Sequence, residues 1–279
     1  MNIKQFICVV CVLFITHKSF SQKKEKIKGN REVTLNVTEL DAFNAINLND
    51  NFEIELLEGN TNSVEIETDS NLHEVIEFEV IDSILRFSKN KRISSKKKLR
   101  ILVSFSSGLN EINLSENSEI RSVNSLDIDS LSLKTADNTK TYLNVTGSYF
   151  EMSSSGKAKV KLNIQADSSE FNLTENSKLD GSITGESSKF NIYQRSITKL
   201  DGSVNNVAIT LDGNGYFNAP ELNINTLNIN ASISSDAKVN VIEQVNIDAS
   251  GNSEIYLYGN PKININSFFD SAKLQKKEK

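Results

Sequence analysis

The sequence predicts an all-β chain: a right-handed parallel β-helix, a solenoid of about eight coils, with an N-terminal β-sheet subregion capping one end. Two observations carry this. Apolar strand starts recur at Ile112, Leu131, Phe150, Phe171, Phe190, Val207, Leu227, Val245 and Ile263, at intervals of 19, 19, 21, 19, 17, 20, 18 and 18 residues. A second apolar pulse follows in most units, as at Ile120, Leu143, Val160 and Leu179, and between the pulses lies a small polar turn. Ser115-Glu-Asn-Ser118, Ser153-Ser-Ser-Gly156, Thr174-Glu-Asn-Ser177, Asp212-Gly-Asn-Gly215 and Ser250-Gly-Asn-Ser253 are such turns. A period near twenty, made of short alternating runs and tight turns, suits one strand-turn-strand unit stacked on the next.

Residues 1–21 read as a signal peptide. Lys4 supplies the positive region, Phe6 to Ile15 is an apolar core too short to span a bilayer, and Ser19 and Ser21 are small residues before a cut at Gln22. Both cysteines, Cys8 and Cys11, fall inside this segment. The exported chain then has no disulfide framework, thiol nucleophile or thiolate metal site. Neither cysteine ends the apolar core, where a lipid-attached one would stand.

Residues 22–32 read as a basic, solvated tail. Removing 1–21 lowers the basic residues from 31 to 29 against 36 acidic ones, so the net charge moves from −5 to −7. Scattered net negative charge argues against nucleic acid as a partner and against a general binder of anionic membranes. The two local basic runs, Lys23 to Arg31 and Lys89 to Arg100, read as the tail and as a charged hairpin turn.

Residues 33–108 form the N-terminal β subregion. Phe52-Glu-Ile-Glu-Leu56 and Val64-Glu-Ile-Glu-Thr68 alternate apolar and acidic residues, and Gly59-Asn-Thr-Asn62 separates them. Ile84 to Phe87 and Leu99 to Phe105 continue the series, and Asn71 to Glu79 reads as strand or as one helical turn. A stack of rungs needs such a lid, because a bare terminal rung presents unpaired N–H and C=O groups.

Residues 109–268 carry the repeats, and residues 269–279 a charged C-terminal tail. The recurrent triplet is apolar-Asn-apolar, with the asparagine at positions 113, 172, 191, 223, 228, 246 and 264. On a strand the flanking side chains point inward and the amide outward. Asn113, Asn172, Asn191, Asn223, Asn228, Asn246 and Asn264 are therefore the candidate binding face: aligned, they make an outward amide row suited to glycan or protein, or one that merely keeps the surface wet. Phe150, Phe171 and Phe190 read as one internal aromatic column. Gly156, Gly213, Gly215, Gly251 and Gly259 read as turn residues of positive φ.

Catalytic chemistry finds little support. His73 is the one histidine outside the signal segment, it lies in a polar turn context, and no Gly-x-Ser-x-Gly is present. One histidine without cysteine does not make a zinc site. Asp212-Gly-Asn-Gly-Tyr-Phe217 opens like a calcium loop, yet Asn223 stands where the bidentate glutamate belongs. Sugar-cleaving β-helices cluster carboxylates on one outer face; here the aspartates mostly sit at turns, where they bond locally. The expectation is a non-enzyme with no cofactor and no metal; the rivals are a carbohydrate-active β-helix enzyme and a purely structural envelope component.

The order of these pieces resembles a known family. Phe43-x-x-Ile46 opens the strands that run to Phe105. Leu109-Asn-Glu-Ile-Asn-Leu-Ser-Glu-Asn-Ser-Glu-Ile120 starts the serial units, and Gly251-Asn-Ser-Glu-Ile-Tyr-Leu-Tyr-Gly-Asn-Pro261 closes them. Over residues 37 to 266 this is similar to the putative auto-transporter adhesin, head GIN domain family of bacterial envelope proteins. The resemblance implies a parallel β-helix located outside the cytoplasm (periplasm, outer-membrane surface or extracellular). It brings no established binding residues. The charged tail after residue 268 is too short for a membrane barrel, so self-secretion is not expected.

Overall fold

The computed structural model describes residues 24–278. The expected signal segment, residues 1–21, lies outside them. Strand makes up 67% and helix 2%, and stacked parallel coils form a β-solenoid of about nine turns.

The early strands are β1 (Lys26–Lys28), β2 (Val33–Glu39), β3 (Ala45–Leu48), β4 (Glu53–Glu58), β5 (Ser63–Asp69), β6 (Ile76–Ile81), β7 (Ile84–Lys89), β8 (Arg92–Ser95) and β9 (Leu99–Phe105). The repeats supply β10 (Glu111–Leu114), β11 (Glu119–Ser122), β12 (Leu126–Asp127), β13 (Ser130–Thr135), β14 (Lys140–Ser154), β15 (Lys159–Leu173), β16 (Lys178–Ile192) and β17 (Ile197–Leu211). Then follow β18 (Tyr216–Ala231), β19 (Asp236–Ala249), β20 (Glu254–Tyr258), β21 (Lys262–Phe268) and β22 (Lys273–Lys276).

Each long strand from β14 to β19 bends once and so serves two faces. In β15, Val160, Leu162, Ile164 and Ala166 are buried, and after the bend Ser169, Phe171 and Leu173 are buried in their turn. The alternation slips by one residue at Asp167-Ser168, so the chain turns a corner without exposing its core face. At the corner of β14 stands Gly147, where a Cβ would lie 2.0 Å from the Ile128 carbonyl oxygen one rung below. Strands that follow a turn make a leading face; strands that precede one make a trailing face.

On the trailing face the register runs Ile112, Leu133, Met152, Phe171, Phe190, Ile209, Ile229, Ile247, Ile265. The spacing is thus 21, then 19 four times, then 20, 18 and 18. The uneven 21 and 17 expected around Phe171 and Phe190 came from a two-residue slip within the strand. Phe150 pairs in register with Ser169, not Phe171, so the three phenylalanines do not hold one repeat position. Their rings still meet inside the coil: Phe150–Phe171 centroids are 5.7 Å apart, Phe171–Phe190 4.8 Å and Phe190–Phe217 5.2 Å.

The turns explain their own sequence. Residues with positive φ stand over one another at Glu116, Asp137, Gly156, Glu175, Gln194, Gly213, Ile233, Gly251 and Asp270. Where this residue is acidic or Gln, its side chain accepts the N–H of the turn below: Glu116 N–H donates to Asp137 at 2.8 Å, Gly156 N–H to Glu175 at 3.0 Å and Glu175 N–H to Gln194 at 2.6 Å. Two residues later a small side chain is buried; Ser177 Oγ donates to the Thr174 carbonyl at 2.8 Å. Gly215 belongs to this small-residue column and has no positive φ, unlike Gly156, Gly213, Gly251 and Gly259.

The N-terminal subregion is only partly a cap. β3 and β4 are themselves a rung, stacked in parallel on β10 and β11 with Ile46 against Ile112 and Ile54 against Ile120. β7 and β9 lie parallel on β3 and β4 as the rung beyond. The antiparallel strands β6, on β7, and β5 with β2, on β9, then close the stack. The segment left open between helix and strand divides: Ser70–Val75 is a 3₁₀ turn and Ile76 begins β6.

Both expected tails add strands. β1 pairs in parallel with β8, with Lys26 beside Arg92. β22 extends the leading face past β20, Ile255 beside Leu274. The C-terminal end has no antiparallel lid among the described residues: Ile263 and Ile265, which continue inward-facing columns, are 44% and 53% exposed.

Candidate functional site: the outer faces of the solenoid

The seven candidate asparagines do not form one row. On the trailing face, Asn113, Asn172 and Asn191 share a column with Asn47 and Asn230. Asn228, Asn246 and Asn264 form the neighbouring column two residues away on the same outward surface. Asn223 lies on the leading face near the corner, beside Asn240.

Within each column the amides bond one another. Asn113 Nδ2 donates to Asn47 Oδ1 at 2.7 Å, Asn191 to Asn172 at 2.8 Å, Asn246 to Asn228 at 2.7 Å, Asn264 to Asn246 at 2.8 Å, and Asn240 to Asn223 at 2.9 Å. Such a ladder uses one hydrogen of each donating amide; Asn113 and Asn191 give a second contact to Glu111 at 3.1 Å and Glu170 at 3.3 Å. The same ladder appears at positions outside the candidate set, Asn163 to Asn144 at 2.6 Å and Asn225 to Asn205 at 3.0 Å. Charges punctuate the face. Lys134 Nζ lies 2.9 Å from Glu111, and that bond with the one from Asn113 holds the Glu111 carboxyl below its ordinary value.

The leading face carries features that strand starts alone do not disclose. Arg121, Tyr142, Lys161, Asp180 and Lys199 stack in one register column, and Lys140, Lys159 and Lys178 in the next. The Arg121 guanidinium lies over the Tyr142 ring, 4.2 Å from its centroid. Beside them runs a groove of about 420 Å³, bordered also by Asn144, Asn163 and Gly181. Lys140 is paired with Glu119 at 3.1 Å, which raises its ammonium pKa. Lys159 and Lys178, on successive rungs, stand side by side, and among the described residues neither has a carboxylate within ion-pair distance. The residues are 19 to 21 positions apart, so only the stacking register reveals the row.

The residues weighed for chemistry are placed as follows. The His73 ring nitrogen Nε2 is 2.9 Å from Thr34 Oγ at the surface. Asp212 Oδ1 accepts the Gly213 N–H at 2.5 Å and so caps its own turn. Among the described residues no group of three or more His, Cys, Asp or Glu is arranged to hold a metal ion, and no helix is long and apolar enough to cross a membrane.

The fold has relatives of known structure. The crystal structure of a putative adhesin from Parabacteroides distasonis ATCC 8503 superposes with a TM-score of 0.68 at 18% identity, covering 91% of this chain and 100% of that one. A putative lipid binding protein from the same organism gives 0.63 at 15% identity, with the same coverage of 91% and 100%. These likenesses show the shared fold. No curated protein matches the chain. A family model does, over residues 42–181 and again over 148–261, and the chain belongs to the putative auto-transporter adhesin, head GIN domain family.

Proposed function

We propose that this is an exported, non-catalytic surface or envelope protein of adhesin type, which binds a glycan or another protein along the outer faces of its solenoid. The observation that carries the reading is the two adjacent amide columns of the trailing face, where Asn228, Asn246 and Asn264 repeat one hydrogen-bonding group rung after rung. Rungs stack about 4.8 Å apart, so a ligand of repeating polar units meets equivalent donors at regular intervals. Family membership and the adhesin-like structural relative support the surface role. The signal-like N-terminus supports export into the periplasm, onto the outer membrane or beyond.

The test is a glycan array and an envelope-fraction pull-down with residues 22–279, run beside the triple variant Asn228→Ala, Asn246→Ala, Asn264→Ala. Retention that the triple variant loses supports the trailing face. Retention that survives it but falls with Lys159→Glu and Lys178→Glu moves binding to the lysine column of the leading face. No retention of any glycan or envelope component overturns the reading.

A further inference from the structure

The two basic runs, 66 residues apart, come together at the capped end. β1 and β8 pair in parallel, placing Lys26 beside Arg92 and Ile27 beside Ile93. Like charges on paired strands oppose the pairing. Beneath them, against the first turn of the solenoid, is a cavity of about 580 Å³ whose charged lining is Lys24, Asp50, Lys89, Lys91, Arg92 and Lys96.

Two of these cations are compensated. Lys24 lies 3.3 Å from Asp50, and Lys91 lies 2.9 Å from Glu25 at the rim. Among the described residues, Lys89, Arg92 and Lys96 have no carboxylate within ion-pair distance. Lys89 is half-buried, with its Nζ 2.5 Å from the Asp50 carbonyl oxygen and 3.9 Å from the Phe52 ring centroid. An ammonium has three donors, and the carbonyl takes one. Desolvating an ammonium without a counter-charge is unfavourable, and here it lowers the Lys89 pKa, with Lys96 and Lys24 adding repulsion against the pull of Asp50 and Glu116.

We propose that this cavity is an anion site for a phosphate group, with Lys89 at its floor and Arg92 and Lys96 at its mouth. The chemistry favours a tetrahedral oxyanion over a carboxylate: three separate cationic groups converge, and Arg offers paired N–H donors while Lys offers point charges. The phosphate is either free or carried on a lipid headgroup. The lining of the site includes none of the column asparagines, so it stands apart from the adhesive face proposed above.

The experiment is calorimetric titration of residues 22–279 with inorganic phosphate, beside co-sedimentation with vesicles of phosphatidylcholine alone or mixed with phosphatidylglycerol. Phosphate binding that weakens at high salt supports the site. Vesicle binding that needs phosphatidylglycerol and is displaced by inorganic phosphate assigns it to a headgroup; phosphate binding without vesicle binding assigns it to a free anion. Lys89→Met keeps an apolar stem over Phe52 and is expected to weaken binding at least tenfold. The exposed pair Arg92→Gln with Lys96→Gln does the same without touching the core, which separates lost binding from lost folding. Absence of binding to both probes overturns the proposal, as does wild-type affinity in either variant.

Discussion

Asn191 donates through its side-chain amide to the carbonyl oxygen of Asn172, 2.8 Å away on the rung below. An outward asparagine on this solenoid is therefore part of the inter-rung bonding, and its neighbour depends on it. Asn191 is 9% exposed and has one further, longer contact at 3.3 Å, to Glu170. Asn172→Ala removes the acceptor and is expected to cost about 1 kcal/mol, a fall of roughly 2–4 °C in Tm. An unchanged melting curve would mean that the ladder contributes nothing.

Phe171 lies at the other extreme. It is fully buried, with its ring 4.8 Å from that of Phe190 and within 7° of parallel. Phe171→Ala leaves a cavity between two rungs and is expected to cost about 3–5 kcal/mol. Phe171→Asp buries a carboxylate with no partner and is expected to abolish the folded state. Denaturant titration reads both; equal losses for Phe171→Ala and Asn172→Ala would contradict the inward and outward assignment.

The repeat, its period and its polar turns were legible because each rung obeys the same alternation. Register was harder. Phe150 and Phe171 look equivalent in sequence, yet they occupy positions two residues apart in the rung. A strand that is apolar at every second residue permits either alignment, and only backbone pairing decides. For the same reason the seven asparagines read as one row and fold as three columns. The first rungs were misjudged differently. Between β4 and β10 the chain builds the rung beyond, β7 and β9, and the antiparallel strands that close it, so Ile46 meets Ile112 across 66 positions and no twenty-residue period marks β3 as a rung. The groove beside Arg121 and Tyr142 was not legible at all, since neither residue is unusual until they are stacked.

Metal is expected to be irrelevant to folding. The Asp212 carboxylate already caps its turn through the Gly213 N–H. A ligand that binds only the folded state raises Tm with its concentration. Calcium and EDTA are thus both expected to leave Tm in place, and a calcium-dependent rise of several degrees would contradict this.

Asp236 supplies a pH dependence. Burial, and then the carboxylate of Glu254 beside it on the next rung, push its pKa above the ordinary value; Lys238 pulls the other way. With the folded pKa above the unfolded one, the folded state binds the proton more readily. The charged form therefore opposes folding above the folded pKa, and the penalty vanishes once pH falls below the unfolded value. Asp236→Asn is expected to raise Tm near pH 7 and to lose that advantage near pH 3. An equal gain at both pH values would show that electrostatics is not the cause.

Ile233 is the one β-branched residue in the turn column of positive φ, at +64°, and its side chain is 56% exposed. A left-handed backbone costs an L-residue roughly 1–2 kcal/mol, and β-branching makes the position less tolerant still. The equivalent positions of the rungs on either side are Gly213 and Gly251. Ile233 also cannot do what Glu175 and Gln194 do, because it has no oxygen to accept the N–H of Gly213 below. That N–H is taken instead by Asp212 of its own turn. Ile233→Gly removes the steric cost and surrenders little burial, but it gives the unfolded chain more freedom, worth roughly 0.4–1 kcal/mol. The net expectation is a stabilisation of up to about 1 kcal/mol, whereas Ile233→Val, equally branched, changes nothing. Thermal melts of the two variants decide it: a Tm for Ile233→Gly below that of Ile233→Val would mean that the exposed isoleucine is held by contacts worth more than the strain of its backbone.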